Sequence, residues 1–220
     1  LDKCTDYSVY RLKNTDGDVI TTCYHVFPGI DIMYNDVHAS FCEAGSAAKL
    51  NVAEINHCCE GRVEYQHGGS YFYLSAGDMS VSHRTDYKPK KGFCFPTGHY
   101  HGITVAIDLD HVPECLSCFM QDVDVRPSML INKFCRNNAC FAARSSKRVE
   151  HVFSELYSVS EDVRKGYYKV KILELLLFLS TFSDVDGRTQ PHGYSKGQVE
   201  LAKQISEYLL ANTDNKVTVS

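Results

Sequence analysis

Up to about residue 144 the apolar positions fall in short runs of Val, Ile, Tyr and Phe. Turn residues separate them: Asn14-Thr-Asp-Gly17, Pro28-Gly29, Gly68-Gly69, Ala76-Gly77-Asp78, Lys88-Pro89 and Pro96-Thr-Gly98. Several runs alternate with period two. Val63 and Tyr65 share one face of a strand, with Arg62, Glu64 and Gln66 on the other. In the same way His101, Ile103, Val105 and Ile107 share one face, which alternation points, together with His99, into the barrel. Gly77 and Gly98 suit turns of positive φ, Asp78 can bond its own turn, and Gly61 ends one strand and begins the next. Many short strands with regular turn signals predict a sandwich or a barrel.

The period then changes. Val149, Val152, Phe153 and Leu156 recur at helical spacing within 146–158. A second helix is predicted over 165–183, with apolar side chains over more than half its circumference and a narrow polar gap around Lys171, Glu174 and Thr181. A helix needs an apolar stripe only ~100° wide to dock on its own domain. The surplus predicts a second copy of the chain against it, and the candidate dimer contacts are Val152, Leu156, Leu173, Leu176 and Leu177. Residues 184–194 are polar and carry Gly187, Pro191 and Gly193, which reads as a linker. Ser195 and Gln198 then form a capping box, opening a helix with Val199, Ala202, Ile205 and Leu209 on one face and Asn212 as its stop. Residues 216–220 begin something with no room to complete it, so the expectation is a chain cut just inside its next domain.

Composition narrows the class without changing that layout. The 220 residues carry 23 Lys+Arg and 27 Asp+Glu, a formal charge of −4, and are 44% hydrophobic and 11% aromatic. A chain of this size buries roughly 70% of its unfolded surface and needs no staple. The net charge argues against a broad nucleic-acid-gripping surface. No apolar run reaches the ~18 residues of a membrane span. Ten cysteines stand at positions 4, 23, 42, 58, 59, 94, 115, 118, 135 and 140. Cys115-x2-Cys118 and Cys135-x4-Cys140 have zinc-ligand spacing. Neither pair has glycines for a tight knuckle, and Cys140 lies in an apolar stretch, so free thiols in a reducing cytosol are preferred.

Four segments together resemble the sensing half of an AraC/XylS-type bacterial transcription regulator. They are Phe27-Pro-Gly-Ile-Asp-Ile-Met-Tyr-Asn-Asp-Val-His38, Ile55-Asn-His-Cys-Cys-Glu-Gly-Arg-Val-Glu64, Tyr73-Leu-Ser-Ala-Gly-Asp-Met79 and Gly98-His-Tyr-His-Gly-Ile-Thr-Val-Ala-Ile107. Residues 198–220 are similar to the helix that opens the family's DNA-binding module. The resemblance implies a mainly β chain with C-terminal helices. A cupin-like, jelly-roll effector-binding barrel would occupy 1–144 and a dimerising helical hairpin 145–183. Residues 184–194 would be the linker, and 195–220 the start of a helix-turn-helix domain lying beyond Ser220. It further implies a cytoplasmic regulator that acts as a homodimer, meets DNA through that domain, answers to a small-molecule effector and does not touch a membrane.

The candidate chemistry is sparse. Pro96-Thr-Gly98-His99-Tyr100-His101 matches Pro-x-Gly-x-x-His, the second motif of metal-binding cupins, but no His-x-His precedes it, and His38, His57 and His67 are scattered. A catalytic metal needs about three protein ligands and an open position, so neither a metal nor another cofactor is assigned. Gly-x-Ser-x-Gly, Walker and Gly-x-Gly-x-x-Gly patterns are absent from the sequence, and the chain is read as not an enzyme. Lys88, Lys90 and Lys91, and again Arg144, Lys147 and Arg148, read as solvated surface. Aromatic and histidine side chains give a barrel interior that suits a small organic ligand. The candidate ligand contacts are Tyr34, His38, Tyr65, Tyr71, Phe95, His99 and His101. The rival readings are a stand-alone metal-dependent cupin enzyme and a small-molecule binding module.

Overall fold

The computed structural model describes residues 2–3, 7–14, 16–43, 51–67, 69–85, 92–114, 116, 122–123, 125–136, 139–182 and 193–212. Strands β1 (Asp2–Lys3), β2 (Tyr7–Asn14), β3 (Gly17–Phe27), β4 (Ile30–His38) and β5 (Phe41–Cys42) come first. They are followed by β6 (Val52–His67), β7 (Ser70–Ser75), β8 (Asp78–Arg84), β9 (Phe93–Cys94) and β10 (Tyr100–Asp108). Helix α1 (Pro127–Phe134), strand β11 (Phe141–Arg144), and helices α2 (Lys147–Tyr157) and α3 (Arg164–Thr181) complete the body. Strand β12 (Gly193–Tyr194) and helix α4 (Lys196–Ala211) end the described chain.

All pairings are antiparallel, as the predominance of short alternating runs predicts. β6 organises them because it belongs to two sheets. Its first half lies between β10 and β8, extending a main sheet of order β1-β2-β3-β4-β10-β6-β8-β11. Its second half lies between β7 and β9, with β12 and β5 outside them. The sequence puts a strand boundary at Gly61; the structure instead runs one strand through it. Opposite β10 the register slips from Glu60 to Cys58, so Cys59 bulges out, and Gly61 turns at φ +78. A bulge bends and twists a strand without ending it. The result corrects the expected closed barrel. Two sheets share a bent strand, and both stay open, with β1, β11, β5 and β12 as edges among the described residues.

Two cores follow. On one face of the main sheet, Ile30, Ile32, Ile55, Val81, Ile103 and Val105 pack against the helical layer. That layer contributes Val152, Phe153 and Leu156 of α2 and Ile172, Leu175, Leu176 and Leu179 of α3. On the opposite face, Val37, Cys58 and Tyr100 meet Val63, Phe72 and Leu74 of the smaller sheet. Ser146 caps α2 and accepts from the Val149 amide, and the predicted Ser195–Gln198 capping box closes the first turn of α4. Lys171, 8% exposed, ties the helices together by reaching Glu155 of α2 and Glu174 of α3.

Helix α1 falls in a stretch read as β from the sequence. Its signal is a proline at the helix start, with Pro127, Leu130 and Phe134 buried at helical spacing. The helical surplus on α2 and α3 is also redistributed. Val152, Leu156 and Leu176 are spent on the chain's own core, which corrects their assignment to a dimer contact. Leu173 stays half-buried and Leu177 exposed. Residues 184–192 of the expected linker, Lys88, Lys90, Lys91, Cys115, Cys118 and residues 216–220 lie outside the described residues. No helix of the described residues is long and apolar enough to cross a membrane.

Candidate ligand site between the sheets

Alternation predicts that His101, Ile103, Val105 and Ile107 share a face, and they do. That face, however, meets the helices rather than the interior between the sheets. The intervening residues face the smaller sheet, and on this side the main sheet is polar. Thr21 Oγ1 donates to Asn35 Oδ1 at 3.0 Å, and Asn35 Nδ2 donates to Thr104 Oγ1 at 3.0 Å. Thr104 Oγ1 donates in turn to Asn56 Oδ1 at 2.8 Å, and Asn56 Nδ2 to Ser80 Oγ at 3.3 Å. Ser80 and Cys140 both meet the hydroxyl of Tyr65, with Cys140 Sγ at 3.4 Å. One hydrogen-bonded ladder therefore crosses β3, β4, β10, β6 and β8 and reaches the second half of β6.

Register explains the continuity. Thr21 pairs with Asn35, Thr104 with Asn56, and Asn56 with Ser80 across adjacent strands. The residue opposite Asn35 on β10 is Gly102; with no side chain there, Asn35 reaches diagonally to Thr104. A Cβ at Gly102 would sit 2.2 Å from the Tyr100 hydroxyl, so only glycine fits. Ser80 is fully buried, whereas Thr21, Asn35, Asn56 and Thr104 are half-buried, so solvent reaches most of the ladder. Beside Asn56 on the same face of β6, Glu54 pairs with Arg84 at 2.7 Å. The Nε of Arg84 is buried and has no hydrogen-bond partner. An unmet buried donor costs roughly 1–3 kcal/mol, and an acceptor oxygen on a ligand would remove that cost.

The sequence-predicted contacts fall into three places. Tyr65 and Phe95 lie in the core between the sheets, and burial pushes the Tyr65 hydroxyl well above its ordinary pKa. His38, His99 and His101 gather at the open end of the helix-facing side of β4 and β10. Tyr34 faces the helices and donates to the Leu156 carbonyl at 2.6 Å, and Tyr71 sits half-buried on β7 opposite Gln66 and Tyr194. Cys135 is buried, and burial pushes its thiol up to about 12. Arg144 serves the 76–78 turn, bonding the Ala76 carbonyl and Asp78. Two surface hollows lie apart from all of these. One of about 240 Å³ between α1 and α3 has Met129, Leu130 and Leu176 among its lining, and one of about 370 Å³ lies at Ser146, Arg148 and Phe182.

No family model matches the sequence, and no curated protein does. Solved structures similar to this chain include the following three. The AraC-like transcriptional activator CuxR is 9% identical, with 91% of this chain and 67% of that chain covered and a TM-score of 0.46. Unsaturated fatty acid bound ToxT from Vibrio cholerae is 10% identical, with 95% and 68% covered and a TM-score of 0.45. A third, FeII HppE, is 15% identical over 49% of this chain and 59% of its own, with a TM-score of 0.36. This chain thus spans about two thirds of the length of CuxR and of ToxT and less of the third.

Thr21, Asn35, Asn56, Ser80 and Thr104 are not among the residues singled out from the sequence. The signal for them is the polar half of the same alternation: Asn56 between Ile55 and His57, Ser80 and Ser82 around Val81, Thr104 between Ile103 and Val105. In an isolated sheet that half faces water. Here a helical layer takes the apolar face, and on the polar face Ser80 meets Tyr65 of the second half of β6.

Proposed function

We propose that this chain is the effector-sensing and dimerisation part of a sequence-specific DNA-binding transcription regulator acting in the cytoplasm, with the effector held over the polar ladder between the sheets. The observation that carries the sensing half is the ladder itself, a continuous row of amides and hydroxyls, mostly half-buried and reached by solvent. Such a surface suits a small polar ligand whose hydroxyl or carbonyl groups exchange into it, with an acceptor oxygen placed at Arg84. The two facing sheets are read as an opened-out cupin-like jelly roll. The regulator half rests on the sequence resemblance, which spans both sheets and α4.

Dimerisation is assigned to α3. Val170 and Leu177 of α3 are exposed and stand seven residues apart, with Leu173 beside them and the exposed Val163 just before the helix. A seven-residue apolar repeat is the seam of a two-helix coiled packing. α4, with Leu201, Ile205 and Tyr208 exposed, is read as the first helix of the DNA-binding domain. An effector that binds one arrangement of the dimer more tightly shifts the population toward it, and with it the spacing of the two DNA-binding domains. No catalytic step is assigned.

The test is a thermal-shift and calorimetric screen of small polar metabolites against wild type and Thr104→Val, a change that keeps shape and removes the bridging hydroxyl. A ligand of the ladder loses about tenfold or more in affinity, as expected for one to two hydrogen bonds. A ligand that binds the variant as tightly as wild type overturns the placement.

A further inference from the structure

The face of the main sheet opposite the ladder carries a second constellation. Asp36 and His38 lie two residues apart on β4, hence on one side, and β10 brings His101 directly opposite Asp36. Asp36 Oδ1 stands 3.1 Å from His38 Nε2 and 3.4 Å from His101 Nδ1, and the candidate donor atoms of the three residues lie within 4.8 Å of one another. The two imidazoles meet edge to face with centroids 5.4 Å apart. Asp36 Oδ1 is shut away from water, yet it takes no hydrogen bond from either ring. A buried carboxylate oxygen between two nitrogens, with neither N–H aimed at it, is the arrangement of ligand atoms converging on a shared cation.

The spacing agrees with that reading. Bonds of about 2.0–2.1 Å in a tetrahedral shell put neighbouring ligand atoms roughly 3.3 Å apart, against the 3.1 and 3.4 Å observed. Two imidazoles and one carboxylate select borderline divalent ions, whereas calcium demands six to eight oxygens. Three protein ligands on rigid paired strands leave at least one position open. The side chains of His38, Asp36 and His101 are 62%, 48% and 35% exposed, so an ion can enter from solvent. His99 and Glu60 stand alongside, 3.6 Å apart. This place is separate from the inter-sheet interior, since Asn35, Val37, Tyr100 and Gly102 point the other way.

We propose that Asp36, His38 and His101 form a binding site for one divalent transition-metal ion of the zinc, cobalt and nickel class. The test uses the untagged full chain, stripped with chelator and titrated with cobalt(II) and then zinc(II). One cobalt(II) binds per chain and gives visible d–d bands without a strong thiolate charge-transfer band. Asp36→Asn and His38→Gln each weaken binding tenfold or more. His38 is exposed, so its variant reads the site even where Asp36→Asn fails to fold. Cys23, His25 and Asp31 form another compact group that contains a thiol, and Cys23→Ser leaves the affinity unchanged. The proposal is overturned by no stoichiometric cobalt(II) binding at micromolar concentrations. It is equally overturned by binding with a thiolate band that Cys23→Ser abolishes and His38→Gln preserves.

Discussion

His57 is a titratable ring placed where its charge is least welcome. It is 5% exposed and lies flat on Phe153, with centroids 4.4 Å apart and planes 9° from parallel. Neither ring nitrogen finds a hydrogen-bond partner. Burial first, and the Arg144 charge second, push its pKa down from 6.5 to about 4. As pH falls below 6.5, the unfolded chain therefore takes up a proton that the folded chain refuses, and stability declines until about pH 4. The share due to this ring is about 2–3 kcal/mol by pH 4.5. Denaturant unfolding at pH 7.5 and 4.5 checks it: His57→Phe loses less stability on acidification than wild type by that margin. Equal losses would show that His57 is not the group responsible. At this scale the sequence was informative about grouping and silent about direction. Alternation placed Val63 with Tyr65, and His101 with Ile103, and both groupings hold. It carries no information on which side the helices settle, so nothing in it sets the polar partners Asn56, Ser80 and Thr104 apart from ordinary surface.

Among the elements, β6 holds the two sheets together, and Gly61 is the position that lets it bend. Its φ is +78, and a Cβ there would fall 2.2 Å from the carbonyl oxygen of His99. Gly61→Ala combines left-handed backbone strain with a clash against main chain, and is expected to cost more than about 2 kcal/mol. Chemical denaturation reads the loss. A change below about 0.5 kcal/mol would mean that the bend is not held at this residue. Turn chemistry made most of the strands legible, apolar spacing located α2, and the Ser195–Gln198 capping box fixed the start of α4. Helix α1 escaped because its eight residues sit within a strand-rich region and its apolar spacing spans barely two turns. The bent β6 escaped for a different reason. A glycine that ends a strand and one that bulges it look alike until the pairing partner is known.

At the scale of the whole molecule, α3 has two apolar sides. Ile172, Leu175 and Leu179 are fully buried against the sheet and α2, and Val170 and Leu177 are left outside. The amount of apolar surface on this helix was plain from the sequence. Its division between core and exterior was not, because Leu176 and Leu177 are adjacent in sequence and point to opposite partners. Light scattering at micromolar concentration is expected to give twice the chain mass for wild type and the single mass for Val170→Glu. A wild-type monomer would remove the dimer from this account. The sensing claim needs only the ladder. Native mass spectrometry of the chain after incubation with a cell metabolite extract tests it most directly. The account predicts one small polar molecule retained per chain, lost in Thr104→Val and kept in His38→Gln. Wild-type protein that retains no small molecule, or a molecule held equally by Thr104→Val, would contradict it.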